Sequence, residues 1–174
     1  MIQRAFNLQK WIDDHRDLLK PPVGNKQVYI QNDDFIVMIV GGPNARKDYH
    51  YEDGEELFYQ IEGDIVVKII EDGKPVDIPI RQGEMFLLPP HVPHSPQRPA
   101  NTVGLVIERY RAPKEKDSCM WFCEQCHQPL HQTEFALTDI EQQLPLVLQQ
   151  FYDSEDLRTC QQCGTVMQPP VKLA

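Results

Sequence analysis

The spacing of apolar residues changes along the chain from a helical period to the alternation that is typical of β-strands. Between residues 7 and 19, Leu8, Ile12 and Leu19 fall on one helical face, which predicts an N-terminal helix. From about residue 27, short apolar runs follow one another, separated by turns rich in glycine, aspartate and proline. The clearest runs are residues 35–40, 57–61, 65–70, 76–80, 85–88 and 103–107. Several short strands without intervening helices predict a mainly β sandwich or barrel.

The last third of the chain has a different composition. A polar segment at residues 112–118 precedes two Cys-x-x-Cys pairs, and a helix is predicted between the pairs at residues 144–152, with Pro145 near its first turn. We therefore expect one domain at residues 1–112, and a linker with a small C-terminal lobe at residues 113–174. A lobe of this size has little core of its own, so a bound metal would stabilise it.

Charge and cysteine content narrow the choice of partners and compartment. The 174-residue chain has a net charge of −9, which disfavours nucleic acids and anionic membranes as partners. The longest apolar run, residues 35–40, is far too short for a membrane helix, and the first residues show no apolar signal core. We therefore expect a cytoplasmic protein, in which thiols stay reduced. Its five cysteines are then better explained as metal ligands than as disulfides, with Cys119 as a spare thiol.

The two cysteine pairs are Cys123 with Cys126 and Cys160 with Cys163. Two such pairs in one reduced chain indicate a tetrahedral four-thiolate metal site. Four sulfurs leave the metal no open position, so this site is expected to be structural and to hold iron or zinc. A redox dithiol and a nucleic-acid-binding ribbon are the alternatives. Residues 118–174 hold two basic side chains against seven acidic ones, which disfavours phosphate binding.

Two segments that contain histidine carry the second candidate metal site. His50 is followed by Glu52 and Glu56, and His94 lies downstream of Gly83. This spacing is similar to the two motifs of the cupin superfamily, a small jelly-roll barrel with a metal in its mouth. Most cupins have a second histidine where this chain has Glu52, so His50, Glu56 and His94 remain. Two histidines and one carboxylate form the facial set of non-haem iron(II) oxygenases, which leaves three positions open. Glu52 is an alternative ligand in place of Glu56.

Three longer stretches, residues 41–50, 55–60 and 94–99, resemble the 3-hydroxyanthranilate 3,4-dioxygenase family, in its short form with a C-terminal rubredoxin-like metal site. The resemblance covers nearly the whole chain. It implies an iron(II) enzyme that converts 3-hydroxyanthranilate and dioxygen to 2-amino-3-carboxymuconate semialdehyde. This reaction belongs to the kynurenine route of tryptophan degradation, which leads to quinolinate and NAD. The resemblance also implies a homodimer.

The same resemblance implies roles for three more residues. Arg46 and Arg98 would bind the substrate carboxylate, for which a planar guanidinium is suited. Glu108 would bind the substrate and accept a proton from its hydroxyl or amino group, and Arg46 and Glu108 are the expected catalytic residues. Without the resemblance, both arginines could be surface residues, and Glu108 could pair with Arg109 or Arg111. Two other functions stay open: a metal-dependent cupin that acts on another small carboxylate, and a non-catalytic cupin binding module.

Overall fold

The structure is a computed structural model that describes residues 4–21, 24–29 and 34–171. Its elements in chain order are α1 (Leu8–Asp14), a 3₁₀ helix (Arg16–Leu19), β1 (Asn25–Gln27), β2 (Phe35–Gly41), β3 (Tyr49–Tyr51), β4 (Glu56–Glu62), β5 (Ile65–Glu71), β6 (Lys74–Ile80), β7 (Met85–Leu88), β8 (His94–Gln97), β9 (Val103–Arg109), β10 (Asp117–Phe122), β11 (Pro129–Phe135), α2 (Ile140–Asp153) and α3 (Glu155–Arg158). The expected mainly β architecture, with an N-terminal helix and a four-cysteine cluster near the C-terminus, is confirmed.

Two antiparallel sheets face each other. The first sheet has the order β1-β2-β9-β4-β7, and the second has the order β11-β10-β3-β8-β5-β6. Side chains alternate between the two faces of each strand. In β4, for example, Phe58 and Gln60 are buried, whereas Leu57 and Tyr59 are partly exposed. The apolar core between the sheets includes Phe58 and residues of β2, β5, β6, β7 and β9. The strand pattern predicted a β sandwich or barrel and the cupin-like motifs implied a jelly roll, and the two facing antiparallel sheets agree with both.

Two short strands of the second sheet carry histidines and have no apolar run that would predict them. They are β3, which contains His50, and β8, which contains His94. The two histidines are paired across the strands, His50 opposite His94. Pairing with longer strands keeps both in the sheet, since β3 pairs with β10 and β8 pairs with β5.

The N-terminal helix is shorter than the sequence predicts. Asn7 caps it by accepting a hydrogen bond from the backbone N–H of Lys10 at 2.8 Å, as expected for an N-cap asparagine. The α-helix ends at Asp14, and a separate 3₁₀ helix follows. Ile12 and Leu19 are buried in a small core with Ile39 and Val103. The helical segment therefore packs against β2 and β9 of the first sheet.

The C-terminal part joins the second sheet through β10. Cys119 of β10 lies opposite His50 of β3, so the segment interpreted as a linker leads directly into a strand of the barrel. Helix α2 begins earlier than predicted, after its N-cap Asp139, so Pro145 lies inside the helix. The local core is built on Trp121, whose ring stacks on Phe151 with centroids 4.1 Å apart. Among the described residues, no helix has both the length and the apolar character needed to cross a membrane.

Candidate active site

Three side chains from three strands converge between the sheets. His50 on β3, Glu56 on β4 and His94 on β8 each offer one ligand atom, and these atoms all lie within 4.8 Å of one another. All three residues are buried. The strand pairing explains the convergence: His50 and His94 face each other across two neighbouring strands, and Glu56 begins a strand of the opposite sheet. The barrel thus brings together the residues that the two sequence motifs indicated.

Glu52, the alternative metal ligand that the sequence left open, lies beside Arg111. Its Oε2 is 2.9 Å from Nη2 of Arg111, and it is not part of the three-residue cluster. Burial, followed by the charge of Glu108, raises the pKa of Glu52 to about 10. Glu52 therefore lies beside Arg111 rather than at the metal cluster, and both of its side-chain oxygens lack a hydrogen-bond partner among the described residues.

The three-residue cluster fits a divalent metal ion. Nε2 of His94 is 2.7 Å from Oε2 of Glu56, yet this oxygen has no hydrogen-bond partner in the described structure. Nδ1 of His94 lies 3.0 Å from the carbonyl oxygen of Val92, which leaves Nε2 free to bind a metal. Two neighbouring donors that are each about 2.1 Å from one metal ion are about 3 Å apart. The unsatisfied buried oxygen and the short separation are therefore explained by a shared cation.

The charge on Glu56 also suits a metal. Burial alone would raise the pKa of Glu56, but the neighbouring His94 and His50 outweigh burial and lower it below its usual range. The carboxylate is therefore ionised at neutral pH.

A cavity of about 550 Å³ opens onto this cluster, a size typical of pockets for small organic ligands. Met38, Phe58 and Val106 line it from the barrel. Phe135 and Leu148 line it from the C-terminal part. The walls are thus largely apolar, and both parts of the chain contribute to them.

Arg46 lines the cavity and already has a partner. Its Nε and Nη2 donate hydrogen bonds to the two carboxylate oxygens of Asp48, at 3.2 and 2.5 Å. Asp48 is completely buried. Burial would lower the pKa of Arg46, but the charge of Asp48 and its hydrogen bonds raise it further. The guanidinium is thus a fixed cation at the cavity wall.

Arg98 lines the same cavity but lacks such a partner. It is 4% exposed, and its guanidinium makes one long contact, from Nη1 to Oε1 of Gln60 at 3.4 Å. Within the described ranges, no carboxylate forms an ion pair with it. Burial lowers the pKa of Arg98 to about 10. A Cβ at Gly104 would lie 2.8 Å from Nη1 of Arg98, so this glycine makes room for the guanidinium.

Glu108 lies at the cavity and also forms an ion pair. Its Oε2 is 2.9 Å from Nη2 of Arg111, while its Oε1 is buried without a hydrogen-bond partner in the described part of the chain. Burial, and then the charge of Glu56, raises the pKa of Glu108, which Arg111 partly opposes. The pairing with Arg111 that the sequence left open therefore exists, and Glu108 is also one of the residues that line the cavity.

Sequence reasoning did not identify Asp117, which contacts the cluster directly. Its Oδ2 is 2.6 Å from Nε2 of His50, and Arg111 binds both of its oxygens, at 2.8 and 2.7 Å. Burial would raise the pKa of Asp117, but Arg111 and His50 lower it to about 2. The residue lies within the polar segment at residues 112–118, where β10 begins, and nothing in the local sequence distinguishes it from a surface aspartate.

The four cysteines form the second candidate metal site. Their sulfur atoms all lie within 4.8 Å of one another, with Cys123 to Cys163 at 3.6 Å and Cys126 to Cys160 at 3.5 Å. These separations are too long for disulfides, in which the sulfurs are about 2 Å apart. They match sulfurs at the corners of a tetrahedron, about 3.8 Å apart when each is about 2.3 Å from a central metal.

The two cysteine pairs are local turns of the same shape. The N–H of His127 donates to the carbonyl of Cys123 at 2.9 Å, and the N–H of Gly164 donates to the carbonyl of Cys160 at 2.8 Å. Both His127 and Gly164 have a positive φ, 61° and 76°, as the residue that closes such a turn requires. The two matching turns direct all four sulfurs to one point.

The chain is similar to several known proteins. The sequence model of a family described as 3-hydroxyanthranilic acid dioxygenase matches residues 1–152. A 3-hydroxyanthranilate 3,4-dioxygenase of Xanthomonas campestris pv. campestris is 56% identical over 174 residues, which cover 100% of this chain and 98% of that protein. One of Jannaschia sp. is 54% identical over 163 residues, 93% of this chain and 90% of that protein. A solved cupin-2 domain containing protein of Shewanella frigidimarina has 21% identity and a TM-score of 0.46, covering 59% of this chain and 99% of that chain.

Proposed function

The chain belongs to the 3-hydroxyanthranilic acid dioxygenase family, and we propose that it is an iron(II)-dependent enzyme that opens the ring of 3-hydroxyanthranilate with dioxygen. Both oxygen atoms enter the product, 2-amino-3-carboxymuconate semialdehyde. The bond that breaks joins the hydroxyl-bearing ring carbon to its unsubstituted neighbour. The reaction serves tryptophan degradation by the kynurenine route, towards quinolinate and NAD.

One observation carries the proposal: a cluster of two histidines and one carboxylate faces a cavity of ligand size, together with a buried arginine that has no carboxylate partner in the described part of the chain. Iron(II) held by His50, Glu56 and His94 would keep positions for the substrate and for dioxygen and would supply the electron transfer that ring opening requires. The largely apolar walls exclude water from the ring and strengthen every charge interaction inside.

Arg98 is proposed to bind the substrate carboxylate. A buried guanidinium without an anionic partner is costly, and the carboxylate of an aromatic acid supplies that partner in a planar, bidentate geometry. Arg46 lies at the same cavity and adds a second positive charge, although its own hydrogen bonds are largely used by Asp48. We therefore assign Arg98 most of the binding energy and Arg46 the orientation of the ring.

Glu108 is proposed to accept a proton from the substrate. The substrate must lose a proton from its hydroxyl group before the ring can be attacked, and this needs a base at the cavity. One oxygen of Glu108 is anchored by Arg111 at 2.9 Å. The other oxygen has no hydrogen-bond partner among the described residues, so it can accept the proton.

The remaining parts of the proposal concern organisation. Residues 1–112 would form the catalytic domain, and residues 113–174 a linker with a lobe that Cys123, Cys126, Cys160 and Cys163 stabilise by holding iron or zinc. Reduced thiolates suit the cytoplasm. A homodimer is expected from the family, and sedimentation equilibrium of the purified protein measures it.

The decisive experiment is oxygen uptake by metal-free protein that has been reloaded with iron(II). On addition of 3-hydroxyanthranilate, we expect equimolar oxygen consumption and a transient ultraviolet absorbance of the ring-opened product. His50→Ala should abolish both. His91→Asn is the matched control, because His91 is exposed and contacts Asp53 at 3.4 Å rather than the cluster. Asparagine also tolerates the positive φ of 64° at this position.

The negative outcome is equally informative. Iron that is bound by the unchanged protein and lost in His50→Ala, without oxygen uptake, would refute the substrate assignment while the metal site remains. Iron content that His50→Ala does not change would refute the metal site itself.

A further inference from the structure

Asp117 is a buried carboxylate in direct contact with His50, one of the three candidate metal ligands. It is 0% exposed, and its Oδ2 lies 2.6 Å from Nε2 of His50. It begins β10, which pairs with the strand of His50. Asp117 does not line the cavity that holds the cluster. It therefore contacts the histidine without direct access to a substrate.

Two hydrogen bonds fix the position of this carboxylate. Nε of Arg111 donates to Oδ1 at 2.8 Å, and Nη2 donates to Oδ2 at 2.7 Å. Such a fork between a guanidinium and a carboxylate is strong and directional. Arg111 is itself 2.9 Å from both Glu52 and Glu108. The carboxylate of Asp117 thus has little freedom to move relative to the ring of His50.

The contact determines which ring nitrogen of His50 can bind a metal. Both oxygens of Asp117 already accept hydrogen bonds from Arg111, so in its contact with Oδ2 the Nε2 of His50 is the donor and Nδ1 keeps the lone pair. A carboxylate that accepts a hydrogen bond from a metal-binding histidine fixes its tautomer and ring orientation and makes it a stronger ligand. Removal of such a carboxylate typically weakens metal binding tenfold to a hundredfold.

We propose that Asp117 is a positioning residue that holds His50 in the tautomer and orientation required to bind the catalytic metal through Nδ1. The inference rests on the metal centre of the proposed function, but it does not depend on the identity of the substrate. It also gives the C-terminal part of the chain a role at the active site, because β10 continues directly into Cys123, a ligand of the four-cysteine site.

The first test compares Asp117→Asn with Glu52→Gln. Both substitutions remove a carboxylate that contacts Nη2 of Arg111, but only Asp117 contacts His50. The dissociation constant for iron(II) is measured anaerobically against a competing chelator, with zinc already bound at the four-cysteine site. We expect Asp117→Asn to raise the constant at least tenfold and Glu52→Gln to change it less than twofold. The KM of the iron-saturated enzyme should stay nearly unchanged, because Asp117 does not reach the cavity.

An unchanged dissociation constant for iron(II) in Asp117→Asn would overturn the proposal. An equal rise in both variants would overturn it too, because it would indicate that the carboxylates around Arg111 have only a structural role. The proposed function fails separately, if the unchanged protein takes up no iron at this site or shows no oxygen uptake with it.

A second measurement needs no stable variant at position 117. Nitrogen-15 spectra of the unchanged chain, labelled at histidine and loaded with zinc at both sites, report the state of each ring nitrogen. The signals of His50 are identified by their loss in His50→Ala. We expect Nε2 to carry a proton that exchanges slowly with water, and Nδ1 to show the shift of a metal-bound nitrogen. A metal-bound Nε2 would refute the inference.

Discussion

Replacement of Arg98 by methionine should raise the stability of the protein and at the same time weaken substrate binding. Arg98 is 4% exposed, and its guanidinium has one long contact, to Gln60 at 3.4 Å. Methionine keeps much of the apolar stem of the side chain and removes the buried charge. Replacement of a buried charge by an apolar group of similar volume is often neutral or stabilising.

Two contributions set the expected change in stability of Arg98→Met: the cost of the buried charge and the hydrogen bond to Gln60. Burial lowers the pKa of Arg98 to about 10 from 12.5, the ordinary value for arginine, and a tenfold change in proton affinity corresponds to ~1.4 kcal/mol. The charged form is therefore destabilised by about 3 kcal/mol. The pKa in the folded state is depressed, so this cost applies at every pH below it, including neutral pH. Loss of the hydrogen bond to Gln60 costs about 1 kcal/mol.

Arg98→Met should therefore raise the free energy of unfolding of the substrate-free protein by about 2 kcal/mol. For a chain of this size that corresponds to a rise in melting temperature of about 4–8 °C. Removal of one partner of a buried charge pair costs about 2–5 kcal/mol in binding. We therefore expect the dissociation constant for 3-hydroxyanthranilate to rise about 30-fold or more.

Two assays check this prediction. Denaturant unfolding measures stability in protein of matched metal content. Anaerobic titration measures the binding of 3-hydroxyanthranilate and of 2-aminophenol, which has the same ring substituents but no carboxylate. Only the first ligand should lose affinity in Arg98→Met. Equal losses for both ligands, or a lower free energy of unfolding, would refute the reasoning.

Arg46→Met is the matched control for the sign of the stability change. Arg46 forms two hydrogen bonds with Asp48, which is completely buried. Its removal leaves a buried carboxylate without its partner, which typically costs about 3–5 kcal/mol. A gain of stability in Arg98→Met and a loss in Arg46→Met would show that the sign of the change depends on whether the arginine has a buried carboxylate partner.

Three further predictions concern other parts of the structure. Gly104→Ala places a Cβ 2.8 Å from Nη1 of Arg98, so it should raise the KM for 3-hydroxyanthranilate in steady-state assays and leave binding of 2-aminophenol unchanged. Phe151→Ala removes the ring stacked on Trp121 and should lower the free energy of unfolding by about 3–5 kcal/mol in denaturant titration. Cys119 is fully buried, and burial raises the pKa of its thiol. An alkylating agent should therefore modify it only after unfolding. Modification of Cys119 in the folded protein, detected by mass spectrometry, would contradict the fold.

Local patterns account for a large part of the architecture. The runs at 65–70 and 85–88 became β5 and β7 with nearly the predicted bounds, because alternation between two faces depends on each strand's own residues. The turns of the four-cysteine cluster are equally local, since each pair of cysteines is closed by one residue of positive φ. Helix bounds were less accurate: His15 interrupts the first helix, and α2 begins at Ile140.

The roles within the candidate site depend on contacts between distant segments. Glu52 and Glu56 are close in sequence and both buried, but Glu52 contacts Arg111 whereas Glu56 contacts His94 on a distant strand. Asp117 is 67 residues from His50 and meets it only because β10 pairs with β3.

Composition and periodicity thus determined the longer apolar strands, the mainly β class and the residue types available for metal binding, because these properties are encoded over a few neighbouring positions. The tertiary structure decided which acidic side chain meets the histidines, which of two arginines lacks an anionic partner, and which carboxylate contacts His50. Each of these three outcomes depends on burial and on charges contributed by strands that are distant in sequence. A local sequence pattern therefore cannot predict them.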